Sequence, residues 1–180
     1  MVNVCYSGGA VGADSLFSEC AEKIGHKVVN YVFKGHKSKC NGLVFLTDDE
    51  LRIADDKLKI VAKILGKKLP YYNPFVFNLL RRNYYQSINS KRIYSAARLN
   101  NDECTVKSGT GWSIELAKLN GVQEIYIFNM EDNSWKSWNG FLFENIDFND
   151  IPKPSGHYGG IGSRELTEEA VKQIKMLYEV

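Results

Sequence analysis

Short apolar runs alternate with stretches of helical periodicity along the chain. Residues 2–6 form an apolar run that predicts a buried strand, and apolar positions from Leu16 to Ile24 recur at the spacing of one helix face. Gly25 is typical of a residue that ends such a helix, and residues 28–33 predict the next strand. The opening of the chain therefore predicts a strand–helix–strand unit.

The same alternation continues to the end of the chain. Thr47, followed three residues later by Glu50, predicts a capping box and a helix that runs to about Leu65. The other predicted elements are helices over residues 75–89 and 166–179, a short helix after residue 112, strands over residues 91–97, 124–128 and 157–161, and a hairpin or edge addition over residues 129–150. We therefore predict a single α/β domain, residues 1–180, with a Rossmann-like, doubly wound, mostly parallel sheet and helices on both faces.

Three loops share one design, in which small residues lie between a predicted strand and a predicted helix. They cover residues 7–14, 107–112 and 162–164. In a doubly wound sheet such loops meet at the carboxyl edge of the strands. Helix N-termini offer free N–H groups and about half a positive charge, and glycine lets a phosphate approach the backbone. A tight turn would explain any one loop, but three together predict an anion site.

Several side chains beside these loops are candidates for ligand contact, and each has a structural alternative. Asp14 would accept from a ribose hydroxyl or cap its helix. Glu115 would contact ribose or protonate a leaving group, or only complement the helix dipole. Trp112 would support a base or anchor the core, and Arg82 and Arg164 would grip phosphate or lie on the surface.

Lys34 and His36 follow the second strand at the same sheet edge, where they would reach the ligand or form plain loop. The aromatic and Arg-rich segment 66–90 is a candidate wall or lid. The predicted ligand-binding residues are Ser7, Gly8, Gly9, Ala10, Gly12, Ala13, Asp14, Lys34, Arg82, Gly109, Thr110, Gly111, Trp112, Glu115, Gly162, Ser163 and Arg164.

Composition narrows the possible partners. The net charge is only +2, and no basic block is present, which argues against nucleic-acid binding. No cysteine pair has CxxC spacing, and neither His26 nor His157 has ligand spacing, so we expect free thiols in a reducing compartment, no metal site and no cofactor. No signal peptide and no apolar window of about 20 residues is found, so we expect a cytoplasmic protein without a membrane partner.

The loops resemble those of a known superfamily. Residues 7–14, Ser-Gly-Gly-Ala-Val-Gly-Ala-Asp, resemble the SGGAxGAD signature of the SLOG superfamily of Rossmann-like nucleotide-binding proteins. Residues 109–115 are similar to its second loop, which is GGTGW in the YpsA-like branch and PGGxGTxxE in the LONELY GUY phosphoribohydrolases. Residues 160–164, Gly-Ile-Gly-Ser-Arg, resemble the element that opens YpsA-like members.

The order of these motifs departs from the superfamily. Its members begin with the Gly-Ile-Gly-Ser-Arg element, which here comes last, and joining Val180 to Met1 would restore the usual order. We therefore predict a circular permutation with neighbouring termini. The second loop also begins Lys107-Ser108-Gly109 where the phosphoribohydrolases have Pro-Gly-Gly.

The resemblance implies two functions. Similar domains recognise ADP-ribose-derived signals such as cyclic ADP-ribose isomers in anti-phage defence. A domain without an effector would suit a viral sponge that sequesters such a signal in the host cytoplasm. The alternative is a phosphoribohydrolase that cleaves the N-glycosidic bond of a nucleoside monophosphate. There Glu115 aligns with the catalytic glutamate, and Arg82 lies in the region of the catalytic arginine. A homodimer or higher homo-oligomer is possible, through helices as in relatives or through the aromatic segment 134–148.

Overall fold

The computed structural model describes residues 2–70 and 72–180, which form eight strands and six α-helices. The strands are β1 (Val4–Ser7), β2 (Lys27–Phe33), β3 (Leu43–Leu46), β4 (Arg92–Ala97), β5 (Glu124–Asn129), β6 (Ser134–Trp138), β7 (Phe143–Asn145) and β8 (His157–Gly162). The helices are α1 (Ala13–Lys23), α2 (Asp48–Arg52), α3 (Asp55–Ile64), α4 (Pro74–Ile88), α5 (Ser108–Leu119) and α6 (Glu168–Tyr178). A short 3₁₀ helix covers Phe148–Asp150.

All eight strands belong to one sheet, in the order β3-β2-β1-β8-β4-β5-β6-β7. The first six strands of this order are parallel, and β6 and β7 add an antiparallel edge. The last strand of the chain, β8, lies in the middle, between β1 and β4. The predicted α/β class, mostly parallel sheet and hairpin after β5 are confirmed.

Helices cover both faces of the sheet because alternate strand residues are apolar on both sides. On one face α1 and α6 bury Phe17, Ile174 and Tyr178 against Cys5 and Tyr158. On the other face α5 packs its apolar positions against β4, β5 and β8. Helices α2 and α4 cover β2 on that same face, and α3 packs beside α4 and α5. The expected helices on both faces are confirmed.

The structure differs from the predicted elements in the middle of the chain. Strand β3 was not predicted, because four residues give too short a pattern to distinguish from a loop. The helix predicted from Thr47 to Leu65 is two helices, although its capping box with Glu50 is confirmed. The helix breaks because Leu51 packs against β2 and β3, whereas Leu58 packs against α4 and α5, and one straight helix does not serve both clusters.

The second glycine-rich stretch is also more helical than predicted. Helix α5 begins at Ser108, so residues 109–112 form its first turn instead of a preceding loop. Gly111 allows this close packing, because a Cβ atom at that position would lie 2.1 Å from the carbonyl oxygen of Val106.

The C-terminal helix packs beside the first strand–helix unit. The rings of Phe17 in α1 and Tyr178 in α6 lie 6.2 Å apart between centroids, and the Val4 N–H donates to the carbonyl of Gly156. Met1 lies outside the described residues, so the predicted permutation and its neighbouring termini stay predictions. None of the helices formed by residues 2–70 and 72–180 is long and apolar enough to span a bilayer.

Candidate functional site

A cavity of about 480 Å³ opens at the carboxyl edge of the parallel strands, a volume suited to a small-molecule ligand. It lies between the N-termini of α1 and α5, with α4 as one wall and the turn after β8 as another. Eight of the predicted ligand-binding residues line it: Ala10, Asp14, Arg82, Gly109, Thr110, Gly162, Ser163 and Arg164. Residues from all three predicted loops therefore meet in one hollow, and part of segment 66–90 forms its wall.

The two helices that begin at this cavity have no side-chain cap. The N-cap residues Gly12 of α1 and Lys107 of α5 make no capping hydrogen bond, whereas Thr47, Asn73 and Thr167 cap α2, α4 and α6. Helix α3 also lacks a cap, but it follows α2 after a two-residue turn. Uncapped N-termini leave backbone N–H groups and a positive partial charge for another acceptor. Both therefore suit an anion held in the cavity.

Glycines let the turn after β8 lie directly on the first loop. Gly12 has a φ of +102°, and a Cβ atom there would lie 2.4 Å from the carbonyl oxygen of Arg164. The Ala13 N–H donates to the carbonyl of Ser163 at 2.9 Å and the Ser15 N–H donates to the carbonyl of Ala10 at 3.0 Å, so two of the first three N–H groups of α1 have backbone partners. These contacts fix Arg164 at the mouth of the cavity.

A buried ion pair forms the floor beside the first loop. Nη1 of Arg82 lies 3.2 Å from Oδ2 of Asp14, and the two side chains are only 5% and 8% exposed. The Gly162 N–H donates to the other carboxylate oxygen at 3.2 Å. Burial raises the pKa of Asp14, although the charge of Arg82 acts in the opposite direction. Burial also lowers the pKa of Arg82, but a guanidinium keeps its proton at neutral pH.

Helix α4 holds this ion pair against the backbone of the first loop. A Cβ atom at Gly8 would lie 0.8 Å from Nη1 of Arg82, so only glycine leaves room for the guanidinium. With its amide oxygen turned toward Gly8, Gln86 accepts from the Gly8 N–H at 2.6 Å and from Arg82 at 3.3 Å. Nε of Arg82 is buried and has no hydrogen-bond partner among the described residues. One donor of this buried guanidinium is thus unsatisfied.

The rim of the cavity is mainly cationic. Arg164 is exposed and makes no ion pair with any residue of 2–70 or 72–180. Arg98 reaches Glu131 only at 3.7 Å, and Lys107 lies closer to the same carboxylate, at 2.8 Å. The lining carboxylates are Asp14, which Arg82 already pairs, and Glu165. The balance of charge favours an anionic ligand.

Two prominent candidates from the sequence do not line the cavity. Trp112 is 2% exposed and packs with Leu58, Leu80 and Leu116, which is the core-anchor alternative. Glu115 lies on the far side of α5, where it forms a 2.8 Å ion pair with Lys118. No aromatic residue lines the cavity as described, so Trp112 offers no surface to a base there.

The apolar part of the cavity comes from α4. Val76, Leu79 and Leu80 provide aliphatic surface opposite the arginines. The apolar surface of the cavity is therefore aliphatic, whereas the sequence predicted an aromatic surface at Trp112.

The remaining predicted residues do not line the cavity. Lys34 is exposed after β2. His36 stacks on Phe33 with ring centroids 5.4 Å apart, and burial, together with the charges of Arg82 and Arg164, lowers the pKa of His36 to about 4. The others that do not line the cavity are Ser7, Gly8, Gly9, Gly12, Ala13 and Gly111.

Sequence reasoning missed several polar lining residues. They are Asn83, Gln86, Arg98, Ser108, Ser113 and Glu165. Two of them follow from helix spacing, because Gln86 lies four residues after Arg82 and Ser113 three residues after Thr110. The helix faces that carry Arg82 and Thr110 therefore also carry these two residues.

Comparisons with known proteins were made at the level of families, curated sequences and solved structures. The search of protein-family models, the search of curated proteins and the search of solved structures each found no match to this chain. Among residues 2–70 and 72–180 no three His, Cys, Asp or Glu side chains are grouped to hold a metal ion. The geometry of the cavity is therefore the basis for any function.

Proposed function

We propose that this chain binds a nucleotide of the ADP-ribose class in the cavity and holds it without turnover. The observation that carries the proposal is that the two helix N-termini at the cavity, those of α1 and α5, both lack side-chain caps, while Arg82, Arg98 and Arg164 lie beside them. Such donors suit phosphate oxygens, and two N-termini suit a ligand with two phosphates.

The rest of the cavity matches the rest of such a ligand. Thr110 and Ser113 offer hydroxyls, Asn83 and Gln86 offer amides, and the aliphatic residues of α4 offer apolar contact to a base. Because Asp14 is also at the cavity surface, its carboxylate would accept from a ribose hydroxyl. A pocket with an apolar wall and a few polar groups is the common form of a small-molecule site.

Retention of the intact ligand is favoured over hydrolysis because Glu115, the carboxylate that the hydrolase alternative requires, does not line the cavity. A general acid has to lie within hydrogen-bond reach of the leaving group. Glu115, the acid of the hydrolase alternative, pairs with Lys118 outside the cavity lining, and Asp14 is held by Arg82. The superfamily resemblance supports the further step that the protein sequesters a cyclic ADP-ribose isomer and so counters nucleotide-based anti-phage immunity.

Calorimetric titration tests the proposal with ADP-ribose, its cyclic isomers, a cyclic dinucleotide, AMP, pyrophosphate and adenosine. We expect an ADP-ribose compound to bind most tightly and adenosine, which has no phosphate, to bind much more weakly. Denaturation and chromatography of the complex should return the ligand intact. Binding of adenosine as tight as that of ADP-ribose would refute the phosphate site, and recovery of free base would refute retention in favour of hydrolysis.

A matched pair of variants locates the binding. Arg164→Gln removes an exposed guanidinium at the cavity mouth, and Arg52→Gln removes one on α2, away from the cavity lining. A charge-assisted hydrogen bond contributes about 1.5–3 kcal/mol, so Arg164→Gln should weaken ADP-ribose binding by about 10- to 150-fold. Arg52→Gln should leave it unchanged. Equal effects of the two variants would place the ligand elsewhere.

A further inference from the structure

The edge strand β3 exposes an unusual amount of apolar surface. Leu43, Val44 and Phe45 are 37%, 41% and 64% exposed, although all three belong to a regular strand of the sheet. Leu43 and Phe45 lie on the face covered elsewhere by α1 and α6, because they align with Asn30 and Val32 of β2. Exposed apolar edge strands readily pair with another chain, and proteins normally cover or charge them.

The backbone of β3 has a free hydrogen-bonding side. The Asn30 N–H donates to the carbonyl of Gly42 at 2.8 Å, which turns Gly42, Val44 and Leu46 toward β2. Since successive residues of a strand point their backbone groups to opposite sides, the N–H and C=O groups of Leu43 and Phe45 face the open edge.

The charges on either side of β3 have opposite signs. Lys37 and Lys39 precede the strand, Asp48 and Asp49 follow it, and all four are exposed. A parallel partner would place like charges together. An antiparallel copy, centred on Val44, would bring the lysine-containing loop before β3 toward the start of α2 in that copy, where Asp48 and Asp49 lie and Asp49 also pairs with Arg52 at 2.6 Å.

We propose that two copies of this chain pair antiparallel through β3, with the twofold axis at Val44. Leu43 of each copy then lies opposite Phe45 of the other, and these two residue pairs form four backbone hydrogen bonds. Val44 meets Val44 as a pair without hydrogen bonds between them. The surface uses no cavity residue, so it does not depend on the proposed ligand.

The length of β3 limits the expected affinity of the dimer. Four residues bury less than a standard interface of about 800 Å² per partner, so we expect a dimer with a dissociation constant in the range of about 1–100 µM. Sedimentation equilibrium over about 1–500 µM should show a monomer–dimer equilibrium. Phe45→Lys should abolish it, whereas Phe141→Lys, at an exposed aromatic between β6 and β7, should not change it.

Cysteine cross-linking tests the register. In a Cys40→Ser, Cys104→Ser background, which removes the two half-buried thiols, Val44→Cys places two thiols at Cα atoms about 4.5 Å apart. Phe45→Cys places them about 8–9 Å apart, too far for a disulfide. Mild oxidation should therefore give a covalent dimer with Val44→Cys and little with Phe45→Cys. Equal cross-linking of both, or none with Val44→Cys, would overturn the proposal.

Exchange of two charges tests the same dimer in a second way. Rescue of dimerisation by the second substitution would show that the first one had not simply impaired folding. Lys39→Glu should weaken dimerisation at least several-fold at low salt, and adding Asp49→Lys should restore it, because the exchanged charges again meet as opposites. A chain that remains monomeric at the highest concentration, or a double variant no better than Lys39→Glu, would also refute the pairing.

Discussion

Replacing Gly8 by alanine probes the link between the first loop and the buried ion pair. The added methyl group would lie 0.8 Å from Nη1 of Arg82, so the guanidinium has to move. Arg82 is almost wholly buried and leaves Asp14 without its partner when it moves. The substitution therefore acts on the Asp14–Arg82 pair, although it changes neither residue.

The magnitude follows from opposing contributions. Gly8 does not adopt a positive φ, so alanine adds no backbone strain and would by itself stabilise the chain by about 0.4–1 kcal/mol. Breaking a buried pair on one side costs about 3–5 kcal/mol. The net loss in the free energy of unfolding is about 2–4 kcal/mol, and at about 2–4 °C per kcal/mol this lowers the melting temperature by about 4–16 °C.

A double-mutant cycle isolates the contact. Denaturant and thermal unfolding would be measured for Gly8→Ala, Arg82→Leu and the double variant. With leucine at position 82 no ion pair remains to be broken, so alanine at position 8 should cost much less. Gly109→Ala is the matched control, because its φ is ordinary and a Cβ atom there meets nothing within 4 Å.

The pH dependence adds a second criterion. Burial already raises the pKa of Asp14, and loss of the Arg82 charge would raise it further. A carboxyl whose pKa is raised by folding favours the folded state when protonated, and that advantage is lost as the pH rises through the folded pKa. The cost of Gly8→Ala should therefore be smaller at pH 5 than at pH 8. An unchanged cost in the Arg82→Leu background would refute the reasoning.

Two further predictions concern residues near the cavity. Burial lowers the pKa of His36 to about 4 in the folded chain, whereas the pKa in the unfolded chain is about 6.5. Between these two pH values the unfolded chain binds a proton that the folded chain does not bind. The free energy of unfolding should therefore fall as the pH falls through this range. His36→Gln should flatten this slope in unfolding experiments, and a bound phosphate that offsets Arg82 and Arg164 should raise the pKa of His36 in an NMR titration. Glu115→Gln should leave ligand affinity unchanged in calorimetry but lower the melting temperature, because the half-buried Lys118 loses its charged partner. A large loss of ligand affinity would contradict the position of Glu115 outside the cavity.

The sequence predicted the architecture well where periodic patterns were long. The apolar alternation and the three glycine-rich stretches correctly predicted an α/β chain with a mostly parallel sheet, and Thr47 marked a real helix start. The pattern of residues 47–65 suits one continuous helix, so the break at Ile53 could not be read from it. That break results from packing against two different clusters, which is a tertiary effect.

The candidate site was predicted in position but less well in detail. Arg82 and Arg164 both line the cavity, although Arg82 also pairs with Asp14, and their contact with a ligand stays a prediction. Trp112 was ambiguous, because a buried aromatic and a ligand platform have the same sequence signal. Its contact with Leu58 depends on how α3 packs against α5, and no local sequence pattern encodes that packing.

The glycines of the first loop show why a motif and a binding site are different things. We expected them to make room for a phosphate, but the space beside Gly8 is filled by Arg82, and the space beside Gly12 by the backbone of residues 163–164. These glycines would be required even in a chain that binds nothing. The features that packing does not explain are the uncapped start of α5 and Arg164, which makes no ion pair among the described residues, whereas the start of α1 already donates to the carbonyls of Ser163 and Ala10. In similar chains, a helix N-terminus that lacks a side-chain cap and lies beside arginines should therefore indicate a binding site better than the glycines, because the glycines are required by close packing.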